Sequence, residues 1–376
     1  VGEILSRARQ TKVICSYHNY KETPRNLKTI YNAILKIDPD IIKVTTMAND
    51  ISDNKLIFNL LQFAKQYRQP TIAFCMGELG QISRILGGVH GGYLSFASLS
   101  DNDVTAPGQL SFEEMTTVFN ANSIDKKTKI FGLIGNPVKH SQGIYYHNDS
   151  FKREKANAVY VNFLVTNLKH FMKVFRHDFS GFSVTMPFKG EIVGHIDKID
   201  DSAAHLNAVN TIINRRNKLI GYNTDFMAIS SILEKQIGVQ NKNVIVLGTG
   251  AIAKTMAYAA ISNSANVTII GRSISKAKLI GDQLGCNAST FDKLIFLNAN
   301  VLMNGTSVGM KGTKKIRLVP LKFYQKDMIV FDAVYNPAIT SLLHDALACG
   351  CKIITGKELF EKQAMLQSNL FMELFK

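Results

Sequence analysis

The sequence has no apolar run approaching the roughly 20 residues that a bilayer-spanning helix needs. It also lacks a signal-like opening of positive, apolar and small residues. Neither membrane association nor export is expected, and the cytoplasm is the default compartment. There is no block of five or six like charges, although 44 Lys and Arg against 29 Asp and Glu leave a formal net charge of +15. Such blocks mark polyanion-binding arms. Lysines spread along the whole length suit small anionic ligands, so nucleic acid is not expected as a partner. Cysteine is scarce, with five in 376 residues: Cys15, Cys75, Cys286, Cys349 and Cys351. Scattered cysteines in apolar strand or helix contexts behave as small hydrophobes, so reduced thiols are expected. One residue between Cys349 and Cys351 is the wrong spacing for a zinc pair, and nothing else supplies ligands; no metal is expected. An initiator methionine is missing too, since residue 1 is Val.

What is present is enough chain for two or three domains, each with its own core. In the first 125 residues four apolar runs recur, at 13–17, 40–46, 70–76 and 91–97. The pieces between them, such as 24–37 and 53–67, carry helical spacing of Leu, Ile and Phe. The pattern predicts βα repeated four times, which is half of an eight-stranded barrel. Four such units cannot close the ring. We therefore expect a preceding half-barrel upstream of residue 1.

Polar residues end these runs: Ser16-Tyr17-His18-Asn19, Lys43 followed by Val44-Thr45-Thr46, Met76-Gly77 through Ser83-Arg84, and Thr105-Ala106-Pro107-Gly108-Gln109. In order and type they resemble the second half of a type I 3-dehydroquinate dehydratase. The resemblance implies that Lys43 forms a Schiff base with the substrate ketone and that His18 moves protons. It also implies that Arg84 holds the substrate carboxylate and that Gln109 binds a hydroxyl, with Thr105 where the family usually has Ser. The chemistry is coherent, because a lysine on an apolar strand is desolvated, its pKa falls, and the neutral amine can attack a carbonyl. Were residue 1 the true start, the dehydratase would need a partner to supply its other half.

A polar, lysine-rich linker at 123–129 precedes a new strand and the block Gly135-Asn136-Pro137-Val138-Lys139-His140-Ser141. Farther on, Gly181-Phe182-Ser183-Val184-Thr185-Met186-Pro187-Phe188-Lys189 reads as a strand ended by Pro187 at a first helical position, with Lys189 in the first turn of a following helix. The positive end of a helix dipole would bias that ammonium toward losing its proton. Alone, Lys189 is a solvated surface charge; its neighbours change the reading. With Asn207-Ala208-Val209-Asn210-Thr211 and Gly221-Tyr222-Asn223-Thr224-Asp225, these blocks resemble the substrate site of shikimate dehydrogenases. The resemblance makes Lys189 and Asp225 the catalytic pair and gives Thr185 and Asn210 substrate hydroxyls. Where the family has Ser-x-Ser-Pro for the substrate carboxylate, this chain has Ser141-Gln142-Gly143-Ile144. Losing one hydroxyl removes a hydrogen bond worth about 1.5 to 3 kcal/mol to a charged acceptor. It also opens space in which the extra hydroxyl of quinate would fit, so Gly143 keeps a quinate-using reading open.

Asn243-Val244-Ile245-Val246-Leu247 is a buried-strand run followed by Gly248-Thr249-Gly250-Ala251-Ile252-Ala253, a dinucleotide fingerprint in its strand-turn-helix setting. The next strand ends in Gly271-Arg272-Ser273, with Lys276 beyond and no acid nearby. Arg272 there favours NADP over NAD. Asn304 through Gly309-Met310 resembles the family's strand end facing the nicotinamide. Tyr335, and Gln363 within Gly356-Lys357-Glu358-Leu359-Phe360-Glu361-Lys362-Gln363, resemble its returning substrate contacts. The expected architecture is thus α/β throughout. A partial dehydratase barrel spans 1–125, a substrate domain spans 126–226 and is completed by 338–376, and a Rossmann NADP domain spans 227–337. A non-catalytic ligand sensor on the same fold is the reading of another class, and retention of Lys189, Asp225, the glycine loop and Arg272 argues against it. Oligomeric state is not readable.

Overall fold

The computed structural model describes residues 11–100, 102–139, 141–313 and 316–376. The chain separates into two compact units. One is formed by Val1–Asp197, Ile212–Leu219 and Phe371–Lys376, the other by Lys198–Thr211 and Ile220–Leu370.

In the first unit, β1 (Ile14–Asn19), β2 (Ile41–Met47) and β3 (Thr71–Met76) form a three-stranded parallel sheet in sequential order. Helices Leu27–Leu35, Asp53–Ala64 and Gln81–His90 alternate with the strands. One sheet face, with Ile42, Val44, Ala73 and Cys75, packs on Tyr31, Ile57, Leu60 and Leu61. Alternation places Ile41, Lys43, Ile72 and Phe74 on the other face.

The fourth expected strand does not form. Gly91 ends the preceding helix in a left-handed conformation, and Tyr93 N donates to Thr71 O at 2.8 Å. After that the backbone leaves β3, and its next pairing is an isolated bridge between Ser98 and Ser111. The expected linker is also structured, because Asp125 Oδ1 accepts from Lys127 N, Thr128 Oγ1 and Asn157 Nδ2.

Next come β4 (Lys129–Gly135), β5 (Ala158–Leu164), β6 (Gly181–Val184), β7 (Lys198–Ile199), β8 (Thr211–Arg215) and β9 (Lys218–Tyr222), in the sheet order β5-β4-β6-β8-β9-β7. Strand β4 runs parallel to both neighbours. Gly132 is required there, since a Cβ would lie 2.2 Å from Phe163. Phe163 belongs to an aromatic cluster with Phe171, Phe175, Phe179 and Phe182. Opposite, Phe131 packs on Phe151 and Phe371. The three-stranded sheet's helix Asp53–Ala64 is fastened to this region by Lys55 on Asp178 and by His170 Nε2 with Ser52 Oγ at 3.0 Å.

The second unit contains β10 (Asn243–Leu247), β11 (Asn266–Gly271), β12 (Asn287–Thr290), β13 (Val301–Asn304), β14 (Ile329–Asp332) and β15 (Lys352–Ile354). All neighbours are parallel, in the order β12-β11-β10-β13-β14-β15. This is the doubly wound dinucleotide-binding order, with its switch point between β10 and β13. Apolar clusters fill both faces, one around Met256, Ala260 and Phe331 and the other around Leu247, Leu302 and Leu343.

Candidate active sites

On the three-stranded sheet the register sets Ser16 opposite Lys43 and His18 opposite Thr45. Lys43 and His18 therefore point to the same face. Burial lowers the pKa of Lys43, and the charge of Arg84 adds to it. Burial, then the charge of Lys43, lowers that of His18. The Lys43 ammonium lies 4.2 Å over the Phe96 ring. Arg84 is only 3% exposed, stacks 4.2 Å over Phe74, and is brought down to about 10 by burial. Its Nε and Nη2 have no hydrogen-bond partner among the described residues. Free donors on a buried guanidinium have the fork geometry that pairs with a carboxylate. Thr105 and Gln109 instead bond each other in an exposed loop, Gln109 Oε1 accepting from Thr105 N at 2.9 Å and Oγ1 at 3.0 Å.

Lys189 is half-buried, but the α-helix expected after Pro187 does not form. Residues 186–190 are turn, followed by a 3-10 helix at Glu191–His195. Gly190, Gly194 and the β-branched pair Ile192-Val193 give this stretch poor helix propensity. The helix dipole expected from the residues after Pro187 is therefore not formed by them. Thr185, also half-buried, sits at the end of β6 beside Gly135. Ser141 Oγ accepts from Gly143 N at 3.3 Å. A Cβ on Gly143 would lie 3.4 Å from Ser141 Oγ and 3.5 Å from the Tyr160 hydroxyl, which is ordinary contact. Burial raises the Tyr160 pKa, and its hydroxyl bonds Ser183.

In the second unit Asn223 caps helix Thr224–Ile232 and places Asp225 in its first turn, where a carboxylate is favoured. Asn210, 4% exposed, accepts at Oδ1 from Thr224 N at 2.8 Å and from Thr211 Oγ1 at 2.8 Å, while Nδ2 donates to Thr224 Oγ1 at 3.0 Å. Its amide thus anchors the start of the helix that carries Asp225. Gln363 approaches the same Thr224 hydroxyl at 3.4 Å. Sequence reasoning missed Gln367, whose Nε2 donates to Asn210 O at 3.2 Å and Thr211 Oγ1 at 2.6 Å. Tyr335 is exposed and stacks on Phe360, with ring centroids 5.5 Å apart.

The dinucleotide loop fits its group. Gly248 has φ +111°, which strains any side chain, and a Cβ there would lie tightly at 3.1 Å from Gly305 O, while a Cβ on Gly250 would meet nothing. Gly250 opens helix Ala251–Ser262 with no side-chain cap and no acid in its first turn, leaving the helix N-terminus free for phosphate. Gly305 lies so close to the buried Ala253 that a Cβ on it would come 2.6 Å from Ala253 Cα, the close helix-to-strand packing that third small position permits. Arg272 is exposed after β11, Ser273 caps the next helix by accepting from Lys276 N, and Gly309 has φ +97° beside the exposed Met310. A Cβ added at Gly271 would lie 2.8 Å from Thr249 Cγ2.

Residues 133–212 match the shikimate dehydrogenase substrate binding domain, and residues 2–126 match type I 3-dehydroquinase. The shikimate dehydrogenase (NADP(+)) of Pyrococcus abyssi is 40% identical over 61% of this chain and 86% of its own length. The chain belongs to the shikimate dehydrogenase family. Shikimate biosynthesis protein AroDE of Chlamydia pneumoniae, 32% identical, aligns over 97% of this chain and 74% of its own. The chloroplastic bifunctional 3-dehydroquinate dehydratase/shikimate dehydrogenase of Arabidopsis thaliana is 36% identical over 96% of this chain, which spans 63% of that relative's length. Among solved structures, a shikimate dehydrogenase in complex with NADP+ superposes with TM-score 0.62 at 34% identity, covering 66% of this chain and 92% of the other. No helix among the described residues is long and apolar enough to cross a membrane.

Proposed function

We propose that the chain is an NADP-dependent shikimate dehydrogenase, interconverting 3-dehydroshikimate and shikimate, joined to a type I 3-dehydroquinate dehydratase acting one step earlier. The domain limits we propose are 1–125, 126–226 with 338–376, and 227–337. Support for the dehydrogenase comes above all from Asn210, whose buried amide fixes the helix start bearing Asp225 in the same unit as the glycine loop. NADP, when bound, takes or gives the hydride at the alcohol carbon. Lys189 accepts the hydroxyl proton as the alcohol is oxidised and returns it in reduction, and Asp225 is the second catalytic residue that the family resemblance assigns. Ser141 and Thr185 bind the carboxylate end and a ring hydroxyl, and Gln363 and Tyr335 are further substrate contacts that the family resemblance assigns. Arg272, with Ser273 and Lys276, binds the 2′-phosphate.

In the dehydratase, Lys43 adds to the ketone and loses water to form an iminium. His18 takes the neighbouring proton and returns it to the departing hydroxyl, and hydrolysis frees Lys43. Arg84 binds the carboxylate, and its unpaired buried donors support that role.

Small-molecule substrates are the partners we propose, with neither nucleic acid nor membrane. Five free cysteines support a reducing compartment such as the cytosol. The test is NADP reduction with shikimate by the purified chain and by Lys189→Ala. Turnover undiminished in the variant, or none in the wild type, defeats the reading. Borohydride trapping of 3-dehydroquinate on Lys43, read by peptide mass, tests the dehydratase separately. A second reading, quinate as an additional substrate, is favoured by the space beside Ser141 Oγ at Gly143.

A further inference from the structure

Asp332 ends β14 in register with Asn304, the last residue of β13, and is 0% exposed. Its Oδ1 accepts from Asn304 Nδ2 at 2.9 Å and Val334 N at 3.0 Å, and its Oδ2 accepts from Thr340 Oγ1 at 2.6 Å. None of these donors is charged, so the carboxylate is held at full burial by hydrogen bonds alone, an arrangement far costlier than an apolar residue would be.

Each partner leads to a different loop. Asn304 Oδ1 accepts from Thr306 N at 3.0 Å and Thr306 Oγ1 at 2.7 Å, and Thr306 Oγ1 in turn accepts from Val308 N at 3.1 Å. Thr340 lies against Gly309, where a Cβ would come 3.2 Å from its own Cβ. Val334 begins the segment that carries Tyr335, and Lys311 N donates to Asn336 O at 3.0 Å, tying that segment back to the first.

We propose that Asp332 is a positioning residue that sets the cofactor-side loop 304–311 and the substrate-side segment 333–337 in one common register. The proposal rests on the dehydrogenase reading above and extends it to a residue that touches neither ligand. One carboxylate fixes Gly309 and Met310 through Asn304 and Thr340, and fixes Tyr335 through Val334. Its loss therefore loosens cofactor and substrate together, where a contact residue would affect one.

The test uses the full chain at a temperature where circular dichroism shows each variant folded. NADPH affinity is read by titrating the cofactor's own emission, and shikimate KM and kcat by turnover. Asp332→Ala is expected to weaken NADPH binding and raise shikimate KM by about tenfold each, because misplacement of roughly an ångström costs that order or more. Asp332→Asn, which keeps the shape and can accept from Asn304 and Val334, is expected to recover most of both. A folded Asp332→Ala with both values within about twofold of wild type, whatever its melting temperature, overturns the proposal. If that variant does not fold, Thr340→Val decides, with about a threefold rise in both values expected and unchanged values overturning it. A wild type that neither binds NADPH nor oxidises shikimate removes the dehydrogenase reading and this one with it. Failure of the present proposal alone shows only in the variants.

Discussion

The two parallel sheets β1–β3 and β10–β15 are built from the same βα repeat and treat their polar residues in opposite ways. The six-stranded sheet is packed on both faces, and the carboxylate it buries, Asp332, has each bond accounted for. One face of the three-stranded sheet carries its main core, and the other buries Ile41, Thr45, Ile72 and Phe74. On that second face, Lys43 and His18 stand among partly exposed Ile14 and Phe96, at 42% and 38%. Full burial with every bond made turns a polar group into a fixture. Partial burial shifts a lysine toward its neutral form and leaves it reachable, as a Schiff-base lysine must be.

The largest effect that would break this contrast concerns the two lysines. Lys189→Ala is expected to lower NADP-dependent shikimate oxidation by about 10² to 10⁴ while leaving borohydride trapping at Lys43 intact. Lys43→Ala should do the reverse. If either substitution abolishes both reactions, the sites are not chemically independent, and shikimate turnover together with borohydride trapping on both variants reads this directly.

Next in size is a buried histidine of the first unit. His90 ends helix Gln81–His90 and stacks on Phe58 with centroids 4.0 Å apart. Burial, then Lys55 and Lys65, brings its pKa down to about 4. Its folded pKa lies below the ordinary value near 6.5, so only the unfolded chain takes up the proton as pH falls from 6.5 toward 4. Stability is lost across that window, by up to about 3 kcal/mol at its lower end. Urea unfolding at pH 7 and pH 5 measures it. His90→Phe should flatten the dependence, and an equally steep variant would assign it to other groups.

A smaller effect is expected in the six-stranded sheet. Gly271→Asn places a Cβ 2.8 Å from Thr249 and 3.1 Å from Ser273 O, and overpacking of this kind costs about 1 to 3 kcal/mol. Thermal unfolding checks it. A variant as stable as wild type would mean that the loop after β10 yields easily.

Local signals carried much of this architecture. The strand at Asn243–Leu247, the turn at Gly248 to Gly250 and the helix after them are specified by contiguous residues and stand where the sequence puts them. The sequence misled where a local pattern needed a distant partner. Residues 91–97 have strand composition, yet a strand exists only by pairing, and their backbone leaves β3 after Tyr93. Pro187 is a fair helix-start signal, but Gly190 and Gly194 make an α-helix beyond it costly. Gln367 and Asp332 were invisible for a related reason. Gln367 meets its partners some 156 and 157 positions away, and no window along the chain shows that one buried amide holds the strand end at Asn210.

The smallest effect concerns Gly143, where family pattern and geometry are hardest to separate. A serine there adds a Cβ at 3.4 Å from Ser141 Oγ and 3.5 Å from the Tyr160 hydroxyl, so the fold has no steric objection. Gly143 also lies at the first position of helix Gly143–Arg153, where a glycine costs up to about 1 kcal/mol relative to better helix formers. Gly143→Ser is therefore expected to leave stability within about 0.5 kcal/mol or raise it slightly. The discriminating quantity is the ratio of kcat/KM for shikimate to that for quinate. Restoring a hydroxyl should strengthen the hold on both carboxylates, while filling the space should penalise only the substrate with a hydroxyl on the carboxyl-bearing carbon. A rise of about tenfold in the ratio corresponds to about 1.4 kcal/mol and would assign the space to quinate. An unchanged ratio with improved kcat/KM for both substrates would mean that Gly143 merely weakens carboxylate binding, and the quinate reading would fall.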